Sequence, residues 1–367
     1  MDETTKFASD VTLINVTEQE TFNATSSNVS GWEYPPVGYF RDTSALLWRV
    51  IPPILISIGT IGNAVTIFVL LRQKKMTSTA VFLFSLALSD TLILFSAPLQ
   101  RWVKYTWGIE IEKLSNPGCK AIVYLAYCST QLSSCLIAAV TLERTACVLF
   151  PHKVRLGCSP RNAGLIIVTI VLAVFGINTI LLVMFDLNGY NGSKCAPSTK
   201  EYYDLHYYVY PWIDFTFIFG APFPLLLIGN VIIVVQLARS RSRRQRINIS
   251  GQVRDTRPLS RLIIALCVLF LVTLTPAQVF SVYFPYLLEK LKVLASVDPY
   301  TALYDAAYIE FLYDVATLVS FFNATFNFAI YVFSGSKFRA ELRSLLCCKA
   351  KQSTSLVGSL GTMQTQS

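Results

Sequence analysis

The run MTSTAVFLFSLALSDTLILFSAPLQ (Met76–Gln100) carries one ionisable residue, Asp90, in an otherwise uncharged stretch. A helix needs about 20 apolar residues, at 1.5 Å rise each, to cross the hydrocarbon of a bilayer, and this run exceeds that length. Six further runs hold no Asp, Glu, Lys or Arg at all: Val50–Leu71 before it, then Ala121–Leu142, Asn162–Phe185, Phe215–Ala238, Leu262–Leu288 and Val315–Ser336. Barrel strands would alternate in polarity over about 10 residues. Inside lipid, only helices and closed barrels satisfy their own backbone groups. One such run alone would read as a buried core helix, but seven of this length do not fit a soluble core. The expected fold class is an all-α membrane protein, a seven-transmembrane helix bundle.

Composition agrees. Of 367 residues, 53% are hydrophobic and 14% charged, against about 25% charged in a soluble domain. The net charge of +9 is placed by its position. Lys and Arg mark the cytoplasmic ends of short loops. Arg72–Lys75 follow span one, Lys153, Arg155 and Arg161 follow span three, the Arg-rich segment from Arg239 to Arg261 follows span five, and Lys337, Arg339 and Arg343 follow span seven. The tail before Ser44 is acidic. These asymmetries predict an extracellular N-terminus, a cytoplasmic C-terminus and residence in the plasma membrane. Basic segments beside spans associate with lipid headgroups, so membrane lipids and not nucleic acid are the expected partner of the arginines.

The expected organisation is an extracellular glycosylated tail over 1–43, a seven-transmembrane bundle over 44–334, a short amphipathic eighth helix over 335–348 and a disordered cytoplasmic tail over 349–367. The tail lacks the basic start and apolar centre of a cleavable signal. Sequons at Asn15, Asn23, Asn28 and Asn191 would be extracellular, whereas Asn248 and Asn323 read as chance matches. Of nine cysteines, only Cys119 and Cys195 fall on the outer side, where disulfides persist. Cys347 and Cys348 follow the amphipathic segment and are candidates for palmitoylation, or are two unmodified thiols.

Polar residues inside spans point to function, because they are costly in lipid and face the bundle interior. Asp90, with Ser133, Asn323 and Asn327 at comparable depth, can hold a sodium-sized cation, or forms a polar network without an ion. Glu143 and Arg144 at the inner end of span three make either a plain interfacial pair or a pair whose Arg is released to a partner.

On these residues the chain resembles a rhodopsin-like (class A) G-protein-coupled receptor. Gly62-Asn63 resembles the GN pair of span one, Leu86–Asp90 the LxxxD motif and Glu143-Arg144-Thr145 the D/ERY motif. Pro222 and Pro276 match the prolines of spans five and six, and Asn327–Tyr331 resembles NPxxY. The resemblance implies that Cys119 pairs with Cys195. It also implies that Glu143, Arg144, Asn230, Leu274, Pro276, Asn327 and Tyr331 lie in the coupling machinery, where span six moves outward and admits a heterotrimeric G protein, with arrestin and receptor kinase as further partners. Departures are present. Phe328 replaces the NPxxY proline, Leu274 stands at the toggle tryptophan, Asn230 replaces a span-five tyrosine and Thr256 stands where an acidic lock residue is expected. The NFxxY variant is similar to invertebrate FMRFamide-like neuropeptide receptors.

Ala126 stands where aminergic members carry an Asp, and span seven has no Lys for retinal. The candidate ligand pocket comprises Arg101, Gln131, Asp214, Gln278, Glu310, Tyr313 and Asp314. Asp214 and Asp314 can receive a cationic group of an amidated peptide by charge-assisted hydrogen bonds, or Arg101 pairs internally with Glu310 or Asp314. A short neuropeptide is the leading ligand class. A lipid or small molecule, or activity without ligand, is the alternative. With two histidines on opposite sides, no catalytic constellation is visible and no enzyme is expected. A seven-helix transporter would want repeats with broken helices, and none is found.

Overall fold

The computed structural model describes residues 37–73, 75–150, 159–192, 194–247 and 257–334. The sequons Asn15, Asn23 and Asn28, the segment 335–348 expected to form an eighth helix and the cysteines Cys347 and Cys348 lie outside the described residues.

All seven apolar runs are helical over most of their described residues. Span one is Val37–Leu71, span two Ser78–Ser96, span three Asn116–Leu149, span four Pro160–Met184, span six Arg257–Val297 and span seven Pro299–Ser334. Span five is segmented: Lys200–Asp204, a π-helical turn Leu205–Val209, Tyr210–Phe215, a second π-helical turn Thr216–Gly220, then Pro222–Ile247. Six of these helices are long and apolar enough to cross a bilayer. Span seven has the length, but keeps Asp305, Glu310, Asp314, Asn323 and Asn327 within it.

The helices outrun their charge-free runs at most ends, because a backbone continues its hydrogen bonding after its side chains leave the hydrocarbon. The tyrosine-rich approach to span five is therefore already helical. Phe185, in contrast, leaves span four and opens a strand. Starts are set by local chemistry: the hydroxyls of Thr77, Ser115 and Ser159 each accept a hydrogen bond from a backbone N–H of the first turn, satisfying a donor that the helix cannot. Span two breaks at Ala97 before Pro98 and continues as Pro98–Trp107, which ends on Gly108 at φ 70°, a left-handed cap that glycine adopts without steric cost.

Between spans four and five lies a hairpin of β1 (Phe185–Asn188) and β2 (Lys194–Pro197), paired antiparallel with Asp186 opposite Ala196. The Cys119–Cys195 disulfide ties it to the outer end of span three. Asn116 of the same helix donates to Asp186 at 3.0 Å and accepts from the Leu187 N–H at 3.2 Å.

Three apolar clusters fill the bundle. Phe82, Leu136, Phe270 and Leu274 belong to the middle one. Trp48, Leu94, Leu318 and Phe321 join spans one, two and seven. Leu181, Met184 and Tyr210 pack with Phe185 of the hairpin and with Cys119. Spans one and seven approach closely through glycine, since a Cβ on Gly62 would lie 2.1 Å from the Phe328 ring. Large apolar side chains such as Ile61, Leu172 and Val272 point outward, as a lipid-facing surface requires.

Candidate functional site

The polar residues of the spans gather into four clusters ordered along the bundle. The outermost ties spans one, two and seven. Asp314 is buried and accepts from the Ser44 hydroxyl at 2.8 Å and from the Arg101 guanidinium at 3.1 Å. Arg101 also lies over the Trp48 ring, 5.0 Å from its centroid. Asp314 is therefore not an open receptor for a cation: its charge is already met, and the internal pairing of Arg101 is realised with Asp314. Glu310 is exposed, and Tyr313 packs against the rings of Phe280 and Phe284.

The second cluster lies between spans three, four, five and six. Gln131 donates to the Asp214 carboxylate at 2.8 Å, and Asn178 donates to the Gln131 carbonyl oxygen at 2.7 Å. Tyr210 donates its hydroxyl to Asn178. Gln278 of span six lies beside Asp214, and its own Oε1 is buried without a hydrogen bond. Sequence reasoning singled out Asp214, Gln131 and Gln278, which the fold brings together, and passed over Asn178. Its signal was the one that marked Asp90: a polar residue inside an apolar run. Above this cluster His206 sits among the rings of Tyr127, Phe185 and Tyr207 with Nδ1 buried and unpartnered.

The third cluster surrounds Asp90. One carboxylate oxygen accepts from Ser133 at 2.6 Å and the other from Asn327 at 2.7 Å. The Oδ1 atoms of Asn323 and Asn327 are buried with no partner. A carboxylate, a hydroxyl and the spare amide oxygen of Asn327 are the hard oxygen donors that a small alkali cation takes, so the residues fit one. Among the described residues no group of three His, Cys, Asp or Glu could hold a metal.

The innermost cluster holds Glu143 and Arg144. Glu143 accepts from Ser78 and, at 2.9 Å, from Thr79, both at the start of span two. Arg144 Nε lies 4.0 Å from Glu143 and has no hydrogen-bond partner of its own. Nearby, Asn230 donates to Cys267 and to the Leu226 carbonyl, linking spans five and six. Leu274 is buried with Phe270 in the middle apolar cluster, and Pro276 lies inside span six. The side chain of Tyr331 falls outside the described residues. Asn191 lies in the turn joining the two strands.

Acidic and amide groups thus line the interior from the outer end to the inner face, while the outer surface is apolar. The profile described as "7 transmembrane receptor (rhodopsin family)" matches residues 62–331. The chain belongs to the rhodopsin family of seven-transmembrane receptors. It is a membrane receptor by family and not an enzyme. Among curated proteins it is similar to the thyrotropin-releasing hormone receptors of Bos taurus and Homo sapiens. Each is 32% identical over 151 residues, covering 40% of this chain and 36% of the relative. The Mus musculus receptor of the same name matches with 32% identity over 40% of this chain. The match thus spans little more than a third of the curated relatives' length. These relatives are receptors for a releasing hormone, and the resemblance to FMRFamide-like receptors gains no support from them.

Proposed function

We propose that this rhodopsin-family receptor binds an extracellular peptide in its outer half and activates a heterotrimeric G protein by outward movement of span six. The observation that carries the reading is the Asp214 cluster, a hydrogen-bond chain over spans three, four and five that ends on one buried carboxylate, with Gln278 of span six beside it. A cationic or amide group of a peptide entering there competes with Gln131 and Gln278 for that carboxylate, and so acts on spans three, five and six at once. The releasing-hormone receptors among its relatives support a hormone-like ligand. Ligand biases the receptor only through its different affinity for the two states, and a bound G protein raises ligand affinity by the same factor. Pro276 removes one helix hydrogen bond from span six and offers a hinge there.

In this reading the N-terminus is extracellular, with Asn15, Asn23, Asn28 and Asn191 glycosylated. Cys347 and Cys348 are palmitoylated on the cytoplasmic side, where lipids, arrestin and receptor kinase also engage. A sodium ion at Asp90, held by Ser133, Asn323 and Asn327, would stabilise the resting arrangement.

The test is a screen of amidated peptides on cells expressing the receptor, with second messengers as readout. A peptide that signals on the native chain should fail on Arg144→Ala while surface expression persists. Signalling retained by Arg144→Ala overturns the coupling role, and a second-messenger rise without any peptide overturns the ligand-driven reading.

A further inference from the structure

Spans one, six and seven continue as helix well past the outer ends of their charge-free runs. At 1.5 Å rise per residue, span one continues outward for about 20 Å, span six for about 14 Å and span seven for about 24 Å. The headgroup layer is only about 5–7 Å deep on each side, so the three helices rise above the membrane as a crown. Phe40 of span one is buried among the Tyr304, Tyr308 and Phe311 rings of span seven, at centroid distances of 5.4, 5.4 and 5.7 Å. Asp298 fixes the turn between spans six and seven. Its N–H donates to the Leu294 carbonyl at 2.7 Å, and its carboxylate accepts from the Thr301 N–H at 3.1 Å and the Thr301 hydroxyl at 2.7 Å.

The face that spans one and seven present there is aromatic and acidic. Tyr300, Tyr304 and Tyr308 recur every fourth residue and so share one side of span seven. At 3.6 residues per turn, Asp305 and Glu310 fall to either side of that stripe. Tyr300 and Tyr308 are 41% and 42% exposed, and Tyr39, next to Phe40, is 57% exposed. Asp42, Asp298 and Glu310 are exposed as well. Arg41 is the cation that span one sets among these acids, and Lys290 and Lys292 belong to span six. An aromatic belt lies at headgroup level, whereas Tyr39 and Tyr300 stand above it, so lipid does not account for their exposure. A tyrosine face attracts a cation placed over it, and a carboxylate accepts charge-assisted hydrogen bonds from a guanidinium. Tyrosines flanked by acids therefore match a basic segment and repel an acidic one.

We infer that this face of the crown is a docking surface for a basic segment of the extracellular peptide, which lies along spans one and seven while another part of the same peptide reaches the Asp214 cluster. The inference rests on the peptide reading for the source of that segment.

The experiment uses the full-length receptor in nanodiscs of phosphatidylcholine, which carries no net charge, with fluorescently labelled nona-arginine as the probe and anisotropy as the readout. Nona-arginine should bind, more weakly as salt screens the carboxylates, and nona-glutamate should not. Asp305→Asn combined with Glu310→Gln should weaken binding about tenfold, equivalent to about 1.4 kcal/mol. Tyr39→Ala combined with Tyr300→Ala should weaken it about threefold, through loss of exposed cation–π contacts. Glu201→Gln combined with Asp204→Asn removes the same charge from exposed positions at the outer end of span five and should leave binding unchanged. Thermal unfolding verifies that each variant is folded. Binding that survives either crown pair in folded receptor overturns the proposal. So does an equal loss in the span-five pair, which marks a diffuse field, or equal binding of nona-glutamate. The readout is binding and not signalling, so a failure here is distinct from a failure of the peptide screen.

Discussion

Asp214 and Asp314 are both buried carboxylates near the outer face, yet they are held by different chemistry. Asp314 is neutralised by a cation, Asp214 only by amides and their hydrogen-bond chain. Gln131 is the middle of that chain: its amide nitrogen serves Asp214 and its carbonyl oxygen serves Asn178. Gln131→Leu keeps the volume and removes both contacts, leaving Asp214 with Gln278 and the amide of Asn178 with the Val174 carbonyl. Unmet buried polar groups cost about 1–3 kcal/mol each. The variant should therefore unfold at a lower temperature in detergent and lose its ligand response. An unchanged unfolding midpoint would show that the chain carries no stability.

Elements meet here through a few narrow contacts. Gly62 lets span one lie against Phe328 of span seven, and an added Cβ would stand 2.1 Å from that ring. Gly62→Ala should destabilise the receptor by about 1–3 kcal/mol through overpacking. Adding Phe328→Leu should recover much of the loss, as expected for side chains in direct contact; thermal unfolding of the single and double variants tests both statements. The hairpin offers a pH-dependent contact. Hydrogen bonds from the Asn188 backbone N–H and the Asn116 side chain hold the Asp186 carboxyl below the usual carboxylate range. A lowered folded-state value means that its contribution is present in full above the unfolded value of about 3.9 and disappears as pH falls through the folded value. The unfolding midpoint of the native receptor should thus drop on acidification below about pH 4 by more than that of Asp186→Asn. Parallel pH profiles would refute the contact's role.

Across the whole molecule, Arg101 and Asp314 join span two to span seven, with Ser44 bringing in span one. The two ends of the pair differ: the side chain of Arg101 is 40% exposed, that of Asp314 only 3%. Removing the cation strands a buried charge, which costs about 3–5 kcal/mol, whereas removing the acid leaves a guanidinium that water can reach. Arg101→Ala should therefore destabilise the receptor far more than Asp314→Ala, as thermal unfolding in detergent would report; equal losses would contradict the asymmetry.

The seven-helix architecture was readable from the chain, because a residue's cost in hydrocarbon is a property of its own side chain, and a charge-free run announces a span before anything packs on it. Asp90 was legible by the same signal, as a polar group where lipid forbids it, while Glu143 and Asp214 stood at the ends of their charge-free runs. The π-helical turns of span five and the hairpin were not, since each depends on hydrogen bonds or a disulfide with another segment. Composition and hydropathy thus determined where the described chain runs through the bilayer. Only the tertiary structure decided that Asp314 belongs to Arg101 and that Asn178 completes the Asp214 chain. Partner choice depends on distance and rotation between helices, which no single run of sequence encodes.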